Sequence, residues 1–221
     1  MILVSIDTST KYASIGITNL EQSYFYNWQS QYNHGVELTK NLRTLLSKIQ
    51  ADASDITHLA VALGPGGFSS VRVGISTALG LATPNNLPII GVPTHDIQLE
   101  PFRKKINNNI NITSIISAGR NEVSWKKYSI NEITSGITTI QQILENSGAN
   151  DMFCGEYFNE KNIVDLPKKS ILLEKIVRDP KTFNNLAKNM FIDGSYKEYN
   201  EIKPIYSREP TISSPKRKKG L

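Results

Sequence analysis

Gly64-Pro65-Gly66-Gly67-Phe68-Ser69-Ser70-Val71-Arg72-Val73-Gly74 follows an apolar run from Leu59 to Leu63 and opens a helix-like run that ends near Ala82. Pro84-Asn85-Asn86 stops that helix, and Pro88 opens a further apolar run to Val92, because proline cannot donate a backbone hydrogen bond and fixes its own φ. A strand, a glycine turn, a helix and a second strand make a βαβ unit with parallel strands. Glycines at such a turn permit close backbone approach, and the free amides at the helix start suit an anion. The segment has no lysine before Ser69 or Ser70, however, and lacks Gly-x-Gly-x-x-Gly spacing followed by an acidic residue, so neither nucleotide fingerprint fits. Within the helix, Ser70, Gly74, Thr77 and Leu81, with Gly80 beside them, form a mostly small face. Phe68, Val71, Ile75, Leu79 and Ala82 form an apolar one. Two glycines inside a helix cost roughly 1 kcal/mol each against alanine. That cost is tolerated where another backbone comes close, either this chain's own or a partner's.

Upstream, Ile2, Leu3, Val4 and Ile6 form a nearly continuous apolar run that predicts a strand buried on both faces. Asp7-Thr8-Ser9-Thr10 breaks it, and Ala13 to Ile17 and Tyr24 to Trp28 complete a three-stranded antiparallel meander. From His34 the period lengthens, and Leu38, Leu42, Leu45, Leu46 and Ile49 mark one face of a helix. The polar, aperiodic stretch Arg103 to Asn111 reads as a lobe boundary. Beyond it the spacing predicts strands over Ile112 to Ile116, Glu122 to Ile130, Ile137 to Ile140 and Met152 to Cys154, with a helix running on through Leu144. Asp179-Pro180 is a capping residue followed by proline at the first helical position, and Phe183, Leu186, Ala187 and Met190 supply the apolar stripe. The predicted organisation is two mixed α/β lobes, 1–102 and 103–205, followed by a segment 206–221.

Four of the positive charges sit in Lys216, Arg217, Lys218 and Lys219, so the formal net charge of +5 leaves the rest of the chain nearly neutral. That cluster reads as an unstructured basic tail, either solubilising or able to meet RNA phosphates without sequence preference. The single cysteine, Cys154, excludes an internal disulfide and a Cys-x-x-Cys site. With no apolar stretch near the roughly 20 residues of a membrane span, the expectation is a soluble cytoplasmic protein. His34, His58 and His95 lack metal-ligand spacing, so no metal site is predicted. Asp7-Thr8-Ser9-Thr10 after the first strand is open to two readings. It is either a carboxylate and hydroxyls placed to hold a metal–phosphate complex, or a side-chain-capped turn.

Taken together these residues resemble the TsaB (YeaZ) family. That family is marked by an Asp-Thr-Ser/Ala turn after the first strand, a histidine opening the next helix and a Gly-Pro-Gly-Ser-Phe-Thr-Gly-Leu-Arg-Ile-Gly segment. Here Asp7-Thr8-Ser9, His34 with Glu37, and Gly64 to Gly74 correspond. Gly91-Val92-Pro93-Thr94 and Pro204-Ile205-Tyr206-Ser207-Arg208 resemble later family segments. The chain departs from the family's Asp-Ala-Arg-x-Gly-Glu-Val-Tyr, showing Ser117-Ala118-Gly119-Arg120-Asn121-Glu122-Val123-Ser124, and Gly35 stands where a serine is usual.

The resemblance implies a degenerate two-lobed actin-like/Hsp70-like ATPase (ASKHA) fold without catalytic residues of its own. It implies an accessory subunit of the complex that makes N6-threonylcarbamoyladenosine at position 37 of tRNA. The partners implied are the TsaD catalytic subunit and the TsaE ATPase. ATP and a divalent metal are used by those partners, and tRNA is met through the complex. Docking is implied through the two N-terminal helices, at His34, Leu38, Leu42, Phe68, Ser70, Val71, Gly74 and Thr77, with a vestigial nucleotide site at Asp7, Thr8 and Ser9. A homodimer burying the same face, a small-molecule kinase or ATPase of the same fold, and a metallo-glycoprotease are the alternatives.

Overall fold

The N-terminal apolar run forms β1 (Leu3–Asp7), buried along its whole length, and it sits at the centre of its sheet as a strand covered on both faces must. The structure, a computed structural model, describes residues 1–31, 33–119, 121–160, 171–172, 178–196 and 199–207. Arg120, Arg208 and the basic cluster Lys216 to Lys219 lie outside them. β2 (Tyr12–Thr18) and β3 (Ser23–Gln29) complete the antiparallel meander on one side of β1. β4 (His58–Ala62) and β5 (Ile89–Val92) extend the sheet in parallel on the other. The order is β3-β2-β1-β4-β5.

Alternation along these strands divides the core. Val4, Ile6, Ile15, Ile17, Leu59 and Val61 meet α1 (His34–Lys48) and α2 (Phe68–Ala82) on one face. Leu3, Ala60, Ala62, Ile90 and Val92 meet Phe183 and Ala187 of α6 (Pro180–Ile192) and Ile97 of α3 (Thr94–Leu99) on the other. The predicted helix starts and strands of this lobe hold to within a residue or two.

The second sheet contains β6 (Asn111–Ser117), β7 (Val123–Tyr128), β8 (Ile133–Thr138), β9 (Asp151–Cys154) and β10 (Ile171–Leu172). Its order is β10-β9-β6-β7-β8, again with an antiparallel meander on one side of the central strand and parallel strands on the other. Strand for strand this repeats the first sheet, so the duplication expected from the sequence is present in the topology. The short helices α4 (Ile140–Glu145) and α5 (Tyr157–Glu160) lie on its outer face with Ile115, Val123 and Phe153.

Three features differ from the sequence reading. β8 starts four residues before the predicted Ile137, because Ile133-Thr134-Ser135-Gly136 carries only a weak alternation. α3 is invisible to periodicity: Thr94, His95, Ile97, Gln98 and Leu99 are all buried, polar and apolar alike, so hydrophobicity does not mark its inner face. The division at 102/103 is crossed, since α6, counted with the second lobe, packs on the first lobe's sheet, where Asn184 Nδ2 donates to Ser5 Oγ at 3.1 Å.

α3 ties the lobes together. Its Ile97 lies in the first lobe's core, while the His95 ring meets Ser114 Oγ at 2.9 Å and Ser124 Oγ at 3.0 Å on the second sheet. Burial, then the nearby Lys126, lowers the imidazole pKa to about 3, so the ring is a neutral bridge. Asp96 accepts from Lys126 Nζ at 2.9 Å and from the Tyr128 hydroxyl at 2.5 Å.

The last helix begins as its sequence demands, with Asp179 Oδ2 accepting from Thr182 N at 3.0 Å and from Thr182 Oγ1 at 2.7 Å. Replacing Asp179 with alanine is expected to lower stability by about 1 kcal/mol. Urea unfolding of the full chain checks this.

Candidate functional site

The turn after β1 is built by its own carboxylate. Asp7 Oδ1 accepts from Ser9 N at 2.9 Å and from Ser9 Oγ at 2.6 Å, which is the side-chain-capped turn that a short acidic residue favours. Asp7 Oδ2 accepts from Arg178 Nε at 2.5 Å. The same guanidinium donates through Nη1 to Glu156 Oε2 at 2.9 Å, and through Nη2 to Thr10 Oγ1 at 3.0 Å and to the Tyr12 carbonyl at 3.1 Å. Thr10 Oγ1 donates to Glu156 Oε2 at 2.8 Å. Asp7 comes from the first lobe, Glu156 follows β9 of the second, and Arg178 precedes α6. The side chains of Asp7, Arg178 and Glu156 are 1%, 2% and 2% exposed.

One guanidinium thus meets two carboxylates away from water. Burial pushes the Glu156 carboxyl up from its ordinary value, with Arg178 and Thr10 opposing. Burial alone would lower the Arg178 pKa, but Asp7 and then Glu156 raise it, so the arginine stays charged.

Asp7, Thr8 and Ser9 are therefore brought together, but their polar atoms face inward. Thr8 Oγ1 donates to the Ser70 carbonyl at 2.7 Å, and both Asp7 oxygens are engaged. A cation–phosphate complex does not fit this turn as it stands, because Arg178 holds the place beside Asp7 that the cation would need. Among the described residues no three His, Cys, Asp or Glu side chains gather in a metal-sized group. No described helix is long and apolar enough to cross a membrane. Sequence reasoning missed Arg178 and Glu156, and it gave Thr10 only as part of the turn. The one local signal is Gly155, at φ +127°, which turns the chain sharply after β9 and delivers Glu156 to the cleft.

The glycine segment closes against the same turn. Gly67 N donates to the Ser9 carbonyl at 2.8 Å, and Ser70 Oγ donates to it at 3.2 Å. A Cβ at Gly66 would collide with that carbonyl. The Gly67 amide, a candidate anion donor from the sequence, is thus committed to Ser9. A Cβ at Gly74 would sit 2.5 Å from Thr8 Oγ1 and 3.6 Å from Ile6 Cγ2. The glycine's cost is met by approach to this chain's own turn.

That geometry corrects part of the expected docking face. Leu38, Leu42, Ser70, Val71 and Gly74 are buried in this chain's own interior, because the stripes that look like contact surfaces in sequence are the stripes that cover the first sheet. His34, Phe68 and Thr77 keep accessible surface. The open side of α1 and α2 instead forms a groove of about 780 Å³ lined by Gly35, Val36, Thr39, Lys40, Arg43 and Thr77, among others. Val36 is 74% exposed.

The family model described as TsaD, tRNA N6-adenosine threonylcarbamoyltransferase, matches residues 29–152, more than half of the chain. The tRNA threonylcarbamoyladenosine biosynthesis protein TsaB of Buchnera aphidicola subsp. Acyrthosiphon pisum is 26% identical over 79% of this chain and 69% of its own length. The protein of the same name from Escherichia coli K12 is 30% identical over 60% of this chain and 57% of its own length. The match therefore spans less than two thirds of that relative. YeaZ from Pseudomonas aeruginosa has the same fold, with a TM-score of 0.74 and 20% identity over 93% of this chain and 99% of that one.

Arg178→Met removes the only counter-charge that the described residues give Asp7 and Glu156 in this cleft. It is expected to cost about 3–5 kcal/mol, read by urea unfolding at neutral pH. Glu156→Gln keeps an acceptor for Thr10 and Arg178 and leaves one acid against one base. A carboxyl whose folded pKa is raised contributes stability below its ordinary value of 4.5 and loses it as pH rises through the folded value. Glu156→Gln should therefore gain on the natural protein as pH climbs above about 4.5. Parallel unfolding curves across that range check the sign.

Proposed function

The chain belongs to the TsaD family, and within it to the TsaB (YeaZ) members, and from that premise we propose that it is the non-catalytic subunit supporting threonylcarbamoyl transfer to adenosine in tRNA. The observation that carries the non-catalytic part is the state of the cleft. A two-lobed ATPase of this type would need a carboxylate free to serve a cation at the end of its first strand, and Asp7 gives both oxygens to Ser9 and Arg178. This chain then acts by holding a surface in place for a catalytic partner of the TsaD type, which brings the metal and the chemistry. A TsaE-type ATPase is the third component of this reading.

The surface best suited to that partner is the open side of α1 and α2. Val36 offers an apolar anchor, Thr39 and Thr77 are small enough for another backbone to approach, and Lys40 and Arg43 supply a basic rim. A methyl group on Gly80 would meet nothing within 4 Å. Unlike Gly74, this glycine leaves room on the exposed side of α2. Leu38, Leu42, Val71 and Gly74 support this surface from beneath and do not touch the partner. A second copy of this chain could cover the same groove, and the same experiment separates the two occupants.

Val36→Glu combined with Arg43→Glu is expected to abolish capture of the TsaD-type subunit while changing stability by less than about 0.5 kcal/mol, as exposed positions allow. Co-purification from the native cytoplasm, followed by an assay of threonylcarbamoyladenosine in tRNA after depletion of this chain, reads both parts. Failure of the unaltered chain to hold the catalytic subunit, or unchanged tRNA modification, removes the functional reading. Capture that survives both substitutions removes only the docking surface, and loss of self-association alone assigns the groove to a homodimer.

A further inference from the structure

The outer face of the second sheet is only partly covered, because α4 has six residues and leaves the floor beyond it open. That floor is formed by Trp125 on β7 and Gly136, its cross-strand partner on β8. A Cβ at position 136 would lie 3.2 Å from Cζ2 and Nε1 of the indole. The missing side chain therefore lets the ring of Trp125 lie over the neighbouring strand. The Trp125 indole N–H has no hydrogen-bond partner among the described residues. The resulting groove is about 430 Å³ and also reaches Thr113, Lys127, Gln142 and Asn146, a size within the roughly 300–1,000 Å³ of small-molecule sites.

The two amides on its wall are already oriented by the helix that carries them. Thr139 and Gln142 form a capping box, in which Gln142 Oε1 accepts from Thr139 N at 3.5 Å and also from the Thr138 hydroxyl. That assignment leaves Gln142 Nε2 as a donor. Asn146 Nδ2 donates to the Gln142 carbonyl at 2.7 Å, which leaves Asn146 Oδ1 as an acceptor. Residues four apart share a helix face, so the donor and the acceptor stand on one wall beside the aromatic floor. Lys127, on the same strand face as Trp125, pairs with Asp151 Oδ1 at 2.7 Å and keeps a third of its side chain exposed.

We propose that this groove is a nucleobase site. The base stacks on the Trp125 indole, Gln142 Nε2 donates to a ring nitrogen or carbonyl, Asn146 Oδ1 accepts from an amino or ring N–H, and Lys127 faces the sugar-phosphate side. Stacking tolerates any base, and the paired donor and acceptor read its edge. The site lies in the other lobe from the α1–α2 groove and does not depend on docking there. A free nucleotide and a single-stranded RNA present the same chemistry.

The chain has two tryptophans, so Trp28→Phe makes Trp125 the sole reporter in the full-length protein, with calorimetry on the unaltered chain as the parallel measurement. Adenosine is expected to quench Trp125 saturably with an affinity on the order of millimolar. Ribose 5-phosphate, which lacks a base, is expected to have no effect. Gln142→Ala and Asn146→Ala, both at exposed positions, should each weaken binding about fivefold, the scale of one lost hydrogen bond, while the loss of their capping contacts lowers melting only slightly and leaves the chain folded. Tighter binding of AMP than of an oligoadenylate assigns the site to free nucleotides, and the reverse order assigns it to RNA. Absence of saturable binding by all three base-bearing probes in both measurements overturns the proposal. So does equal binding of ribose 5-phosphate, or alanine variants that bind as tightly as the unaltered chain.

Discussion

The contact between Arg178 and the carboxylates of Asp7 and Glu156 is the constraint on which the arrangement of the lobes depends. Two acids buried at 1% and 2% side-chain exposure would be untenable as ions without a counter-charge. The guanidinium suits the task because its planar fork can serve Asp7, Glu156, Thr10 and the Tyr12 carbonyl at once. A lysine would place one point charge with three donors and could not serve all four acceptors at once. Desolvation of three ions makes such a cluster a weak source of net stability. Its consequence is geometric: the end of β1, the turn after β9 and the start of α6 have to meet at one point.

The remaining inter-lobe contacts are consistent with that point. α3 inserts Ile97 into the first core and offers His95 and Asp96 to the second sheet, and α6 returns from the second lobe to cover the back of the first. Neutral His95 between two serine hydroxyls adds no charge beside Arg178. The cleft between the sheets is thus filled by side chains of this chain from both lobes. The polar atoms of Asp7, Thr10 and Arg178 there, and Oε2 of Glu156, are engaged by contacts within the fold.

Most of the fold is legible in sequence because its first lobe is built from strong local signals. The continuous apolar run of β1, the leucine stripe of α1, the prolines that bracket β5 and the Asp179-Pro180 cap each specify one element. The second lobe is less legible where those signals weaken. β8 has Gly136 and Ser135 in mid-strand, and α3 buries every residue but Asp96. The cleft is hardest to read, since Arg178 and Asp7 are 171 residues apart and Glu156 lies 22 from Arg178. No periodicity links them. The motif Asp7-Thr8-Ser9 is visible, but a motif gives residue types and spacing, whereas its chemistry depends on what faces it across the lobes.

The same limit explains the docking residues. Ser70 and Gly74 look like a surface for a partner because small side chains permit close approach, and close approach is what they provide, to Thr8 and Ile6 of the same chain. Gly80, nearly two turns on, has identical sequence character and nothing against it. The difference lies in azimuth around α2: position 74 faces the β1 turn, and position 80 is rotated away from it toward the exposed side. A glycine's cost within a helix marks that something comes near. Only the packing tells whether the neighbour is already present, and for this helix one glycine is satisfied inside the fold while the other is left for the outside.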